Sequence, residues 1–282
     1  MKLYYYKDPH GNFGDDLNPW LWQRLLHKSL EKCADQETLF IGIGTLLNHK
    51  VPTVPQKKIV FGTGAGYGAL PKITEFWDFI CVRGPRTAAA LGLPLKYAIT
   101  DAAVLIREII PPTNIISRYI TFMPHHQTAL LGDWKPVCDS VDIHYLDPAA
   151  SIEETISTIR NSFFVLAESM HAAILAETYR IPWIPVCTSS NILRFKWLDW
   201  TESLGISHEF EYLQVPEIEH ILSKFPNYPK DTTNRFSVSL EKTRPLFVNL
   251  VRKGKQYLSN DRVFDNTYRR LLDALNNLIE KI

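Results

Sequence analysis

Side chains able to do chemistry gather where short apolar runs end in this 282-residue chain. In Phe164-Val165-Leu166-Ala167-Glu168-Ser169-Met170-His171-Ala172-Ala173, an apolar run meets an acid, a hydroxyl and an imidazole, then enters an alanine-rich segment. A histidine in the first turn of a helix at a strand end is placed to exchange protons with a ligand beyond the sheet. Glu168 beside it would steer or charge His171, and Ser169 would line the same site. A second group is His10-Gly11-Asn12-Phe13-Gly14-Asp15-Asp16-Leu17-Asn18-Pro19. Its glycines let backbone approach a ligand closely. Asn12, Asp15 and Asp16 could hold sugar hydroxyls, with Asp16 taking a proton. Capping of a following helix is the competing reading of Asp16. The third is Val82-Arg83-Gly84-Pro85-Arg86-Thr87. Guanidinium forks suit carboxylate and phosphate, so Arg83 and Arg86 form a candidate anion site, solvated turn arginines being the plainer alternative.

Three weaker groups follow the same rule. Phe61-Gly62-Thr63-Gly64-Ala65-Gly66-Tyr67-Gly68 has glycine at every second position. That is not the dinucleotide fingerprint, which needs a different spacing and a helix where Pro71 stands. Gly64 is better read as lining a cleft. Pro124-His125-His126-Gln127 and Thr188-Ser189-Ser190-Asn191 each close an apolar run, with Lys196 just downstream. His125, His126 and Ser190 are candidate ligand contacts, and Lys196 is close enough in sequence to join them. No acid or thiol is placed to join the histidines around a metal, so no metal is expected. There is no G-x-S-x-G elbow and no P-loop.

The elements that position these residues alternate. Leu3 to Tyr6, Leu39 to Gly44, Ile59 to Gly62, Phe79 to Val82 and Tyr97 to Thr100 read as buried strands. Leu17 to Cys33 and Thr87 to Leu91 read as helices. Ile109-Ile110-Pro111-Pro112-Thr113-Asn114 is the best linker. After it, strands are expected at Tyr119 to Met123, Val141 to Tyr145, Phe163 to Ala167 and Ile181 to Val186. Helices are expected at Ser151 to Arg160, opened by a Ser151/Glu154 capping box, at Met170 to Arg180 and at Arg194 to Leu204. Pro216 to Asn234 is polar with scattered prolines, and the last twenty or so residues have helical apolar spacing. The expectation is an α/β chain of two Rossmann-like domains with mostly parallel sheets, residues 1–112 and 113–260, and a terminal helix, 261–282, docking on the body.

Composition narrows the function. With 31 basic and 30 acidic side chains the formal net charge is +1, which argues against a nucleic-acid partner. None of the four cysteines forms a CxxC pair, so reduced thiols are expected. Lys7 and Asp8 interrupt the first apolar residues too soon for a signal peptide, and no uncharged apolar run reaches membrane-spanning length. A cytoplasmic protein is expected, with peripheral work at the inner membrane face left open.

The ordered set of segments resembles the polysaccharide pyruvyl transferase family, particularly the succinoglycan-type ketal-pyruvate transferases. It comprises Asn12-Phe13-Gly14-Asp15-Asp16-Leu17-Asn18, Gly42-Ile43-Gly44-Thr45, Gly62-Thr63-Gly64, Val82 to Thr87, Thr100-Asp101, Pro124-His125-His126, Ala167 to His171 and Lys196-Trp197-Leu198-Asp199-Trp200. The resemblance runs to about residue 200. It implies a GT-B-like fold with two domains facing across a cleft, phosphoenolpyruvate as donor, a sugar or lipid-linked oligosaccharide as acceptor, and no further cofactor. Many relatives carry an arginine where this chain has Ser169. Its anion contact would be lost or taken over by Arg83, Arg86 or Lys196. Two other readings stand beside this one: a GT-B nucleotide-sugar glycosyltransferase, and a non-catalytic scaffold of polysaccharide assembly.

Overall fold

A computed structural model describes residues 1–26, 37–113, 116–188, 192–215 and 236–282. The first half is built on a four-stranded parallel sheet of β1 (Lys2–Tyr4), β2 (Thr38–Ile41), β3 (Lys57–Phe61) and β4 (Trp77–Cys81), in that order. Helix α1 (Phe13–Leu25) follows β1, and α2 (Pro85–Ala90) follows β4. The expected strand at Tyr97 to Thr100 is instead a 3-10 turn (Leu95–Tyr97) opened by Pro94, touching the sheet only through a Val82–Ala98 bridge. A second 3-10 segment (Ala102–Glu108) is capped by Asp101, whose side chain accepts from Ala103 N at 3.0 Å. The proline pair 111–112 then leads into the second half.

That half carries a five-stranded sheet, parallel throughout. Its members are β5 (Tyr119–Met123), β7 (Ile143–Tyr145), β8 (Ser162–Ala167), β9 (Trp183–Cys187) and β10 (Glu211–Tyr212), ordered β10-β9-β8-β5-β7. A two-stranded parallel pair joins β6 (Gly132–Asp133) to β11 (Phe236–Ser237). The helices are α3 (His126–Leu131), α4 (Lys135–Asp139), α5 (Ile152–Arg160), α6 (Met170–Thr178), α7 (Arg194–Ser203) and α8 (Leu240–Lys253). Ser151 caps α5 by accepting from Glu154 N at 3.2 Å. Strands β8 and β9 are apolar because the sheet is covered on both faces.

One apolar core unites the halves, running from Met1, Phe13 and Trp22 through Val104 and Leu105 to Val165, Ile174 and Trp197. The last helix, α9 (Asp261–Lys281), returns from the second half to the first. Its Phe264, Leu271, Leu275 and Leu278 join that same core, beside β4 and the second 3-10 segment. Among the described residues no helix is long and apolar enough to cross a membrane. Cys81, Cys138 and Cys187 are buried, and none of them is in a disulfide.

Candidate active site

Parallel strands direct their carboxyl ends and the following helix N-termini to one edge, and ligands bind beyond it. At that edge β8 passes through Glu168 and Ser169 into α6. The backbone amides of Glu168 and Ser169 both donate to the Met123 carbonyl, at 3.1 and 3.2 Å, tying the ends of β8 and β5 together. Ser169 is the N-cap of α6, yet its side chain makes no capping bond. His171 then stands in the first turn of α6, against Gly14 of α1 from the other half. A Cβ on Gly14 would lie 2.1 Å from the His171 Nδ1, so a glycine is needed for the two helices to meet here. Nε2 of His171 is sealed from solvent and has no hydrogen-bond partner among the described residues. Burial, reinforced by the charges of Lys196 and Arg83, pulls its pKa down to about 3.

Across from it the first turn of α1 is arranged by Asn12. Asn12 caps the helix, its side chain accepting from Gly14 N at 3.3 Å. The helix thus starts at Phe13, earlier than the expected Leu17, and Asp15 and Asp16 lie inside it. Asp16 Oδ2 accepts from the Asn12 amide at 3.0 Å, the capping duty that competed with a catalytic one. Asp15 accepts from Asn12 Nδ2 at 2.7 Å through Oδ2, while its Oδ1 faces the open side of Gly44, 3.9 Å from where a Cβ would stand. Burial first, then the charges of Asp16 and Asp8, push the Asp15 pKa up to about 7, against the opposing pull of Asn12 and Lys196. Each of the two carboxylates commits one oxygen to Asn12, and the affinity of Asp15 for protons is raised.

Lys196, half-buried on α7, completes the group. Its charge acts on Asp15, His125 and His171 together, and its ammonium has no hydrogen-bonded partner among the described residues. His125 and His126 sit beside it with ring centroids 4.3 Å apart, and His126 Nε2 lies 3.9 Å from Asp8 Oδ2. Burial drives the His125 pKa well below its ordinary value. The described residues contain no grouping of three His, Cys, Asp or Glu side chains fit for a metal. Ser190 lies outside the described residues.

Four expectations are corrected. Arg83 is fully buried, with every arm of its fork in use. Nε donates to Asp199 at 3.0 Å, one Nη to Thr45 Oγ1 at 2.9 Å and the Gly44 carbonyl at 3.3 Å, and the other to the Ala65 carbonyl at 2.9 Å. Arg86, though exposed, is already forked onto Glu202 at 3.0 and 2.6 Å. Gly64 does not line the ligand space, because the Arg83 guanidinium occupies it: a Cβ there would lie 2.3 Å from Cζ. Glu168 does not reach His171. Its carboxylate accepts from His125 N and Thr188 N, both at 2.9 Å, and from the Thr188 hydroxyl, pinning three strand ends together.

The residues that sequence reasoning passed over are the partners of these arginines. Asp199 accepts from Thr87 N and Oγ1 at 2.8 and 2.6 Å as well as from Arg83. Arg83 and Arg86 are three residues apart, as are Asp199 and Glu202, and this matched spacing was the available signal. Gly14 as the seat of His171 had no signal beyond being a glycine.

The polysaccharide pyruvyl transferase family model matches residues 3–190. The chain belongs to this family. It is 42% identical over 211 residues to the succinoglycan biosynthesis protein ExoV of Rhizobium meliloti (strain 1021), a match covering 74% of this chain and 66% of that relative. The chain thus spans just under two thirds of the length of that relative. No solved structure matches significantly.

Proposed function

We propose that the protein transfers a pyruvyl group from phosphoenolpyruvate onto two hydroxyls of a sugar as a cyclic ketal, during synthesis of a cell-surface polysaccharide. The observation that carries this reading is the buried Nε2 of His171, which has no partner among the described residues, packed against the α1 turn that carries Asp15 and within the field of the Lys196 ammonium. The relative's name, a succinoglycan biosynthesis protein, supports a role in making a polysaccharide.

The steps follow from these groups. Lys196 and the free amides at the start of α6 hold the donor's carboxylate and phosphate. Burial keeps the imidazole neutral above about pH 3. The donor's negative charges next to Nε2 favour the imidazolium, so the donor itself loads the acid. His171 then passes its proton to the donor methylene carbon, which becomes a methyl group and leaves C2 electron-poor. A sugar hydroxyl forms a bond to C2 as Asp15 takes its proton. The C2–O bond to phosphate breaks, the departing phosphate taking the proton held by Asp15, and a second hydroxyl of the same sugar closes the ring, its proton returning to the imidazole. Proton transfer by a positioned histidine contributes roughly 100- to 10,000-fold. The absence of arginine at Ser169 is met by Lys196, since Arg83 and Arg86 are occupied. An acceptor carried on a lipid would bring the protein to the inner membrane face.

The test is to incubate the protein with lipid-linked oligosaccharides and either phosphoenolpyruvate or a nucleotide sugar. Acceptor-dependent phosphate release with one ketal's mass gain is expected from phosphoenolpyruvate alone. Turnover of the nucleotide sugar without response to phosphoenolpyruvate would replace this reading with a glycosyltransferase.

A further inference from the structure

The helix that carries Lys196 has a second feature on its next face. Arg194 and Leu198 of α7, with His208, Glu209, Phe210 and Tyr212 leading into β10, line a cleft of ≈ 340 Å³. Small-molecule sites run from about 300 to 1,000 Å³. Tyr212 is 51% exposed, and the Arg194 guanidinium lies 5.8 Å from the Phe210 ring centroid and 5.9 Å from that of Tyr212. Arg194 also donates to the Tyr212 hydroxyl, fixing that ring. Phe210 is backed edge-on by Trp197 at 5.4 Å and His208 at 5.0 Å, so the aromatic floor is rigid.

His208 supplies a second, independent sign of a ligand. It is 8% exposed, and its Nδ1 is paired with Thr201 Oγ1 at 3.1 Å. Its Nε2 is buried with no partner among the described residues. An unmatched buried nitrogen is costly unless something fills it. Burial keeps this imidazole neutral down to about pH 4, so Nε2 is either a donor or an acceptor according to tautomer. A hydroxyl serves both cases, since it donates and accepts.

We infer that this cleft is a saccharide subsite, holding a sugar of the acceptor beyond the one that receives pyruvate. The inference rests on the pyruvyl-transfer reading for its acceptor, and its chemistry is that of an uncharged ring. The C–H face of a sugar packs on Phe210 and Tyr212, and its hydroxyls reach His208, Arg194 and Glu209. One guanidinium and one carboxylate at the rim balance, which disfavours a phosphate or another strongly charged ligand. Lys196 lies two residues from both Arg194 and Leu198 on the same helix, so an acceptor longer than one sugar can meet both sites.

Size-fractionated oligosaccharides released from the producing cell's own surface polysaccharide test this by tryptophan fluorescence, with Trp197 as reporter, and by acceptor kinetics. Affinity is expected to rise at least tenfold from single sugars to the longest fraction. Tyr212→Ala removes that gain and leaves the KM for phosphoenolpyruvate unchanged, while Tyr212→Phe keeps most of it. Affinity independent of length, or a length dependence that survives Tyr212→Ala, overturns the subsite. Pyruvylation proceeding equally well at every length discards the subsite and keeps the reaction. Length-dependent binding lost in Tyr212→Ala, with no pyruvate transferred, keeps the subsite and discards the reaction.

Discussion

Two strand exits of this molecule resemble each other in sequence and differ in what surrounds them. After β4, Arg83 and Arg86 precede a helix; after β8, His171 enters one. Each places a polar side chain where an α/β protein binds ligands. At the first exit every nitrogen of the Arg83 fork meets an acceptor, Asp199, Thr45, Gly44 or Ala65, and Arg86 meets Glu202. That exit fastens the two halves. At the second exit the Nε2 of His171 meets no hydrogen-bond partner among the described residues, though it is shut off from solvent. A polar group with its bonds made is doing structural service, and a buried one left unmatched at a strand exit is the better candidate for ligand contact.

The contrast is testable from its strongest side to its weakest. Arg83→Met should lower stability by about 3–5 kcal/mol, the usual cost of orphaning one partner of a buried ion pair. A denaturant melt reads this, and a change under ~1 kcal/mol would mean that the Asp199 contact is dispensable. Gly14→Ala pushes a methyl group into the His171 ring and should cost roughly 1–3 kcal/mol. Its turnover should drop much further than its stability, because the ring that must move is the reacting one. Unchanged turnover would separate His171 from the chemistry.

Asp15→Asn addresses the proton acceptor. With its pKa raised to about 7, Asp15 binds its proton more tightly in the folded chain than in the unfolded one. Its ionisation therefore withdraws stability as pH rises from the ordinary carboxylate range through 7. The asparagine variant should melt higher than the parent at pH 8 and lose the rising limb of the pH–rate profile near 7. A limb that persists assigns the base elsewhere. Arg86→Ala, at an exposed pair, should move stability by less than ~1 kcal/mol and leave turnover alone.

Much of the architecture was legible because parallel strands buried on both faces show as plain apolar runs. Tyr119 to Met123 matches its strand residue for residue, and Ser151 caps its helix as the Ser-x-x-Glu spacing implied. Local turn chemistry defeated the reading elsewhere. Asn12 starts α1 inside what looked like a glycine-rich loop, and Pro94 tightens the expected Tyr97 strand into a 3-10 turn. Helix α8 was hidden by Pro245 within it. At the site, His171, Asp15 and Lys196 were named from position alone and come together. Arg83, Arg86 and Glu168 were misread because a side chain's partners are set by residues distant in the chain: Asp199 lies 116 positions from Arg83.

The central claim is that His171 delivers the proton that starts pyruvyl transfer, and one assay addresses it directly. Acceptor-dependent phosphate release from phosphoenolpyruvate would be followed in parent and His171→Gln protein, with folding checked by thermal melt. A fall of about 100- to 10,000-fold in the variant, at an undiminished melting temperature, is the predicted result. Full phosphate release and ketal formation by His171→Gln would contradict it.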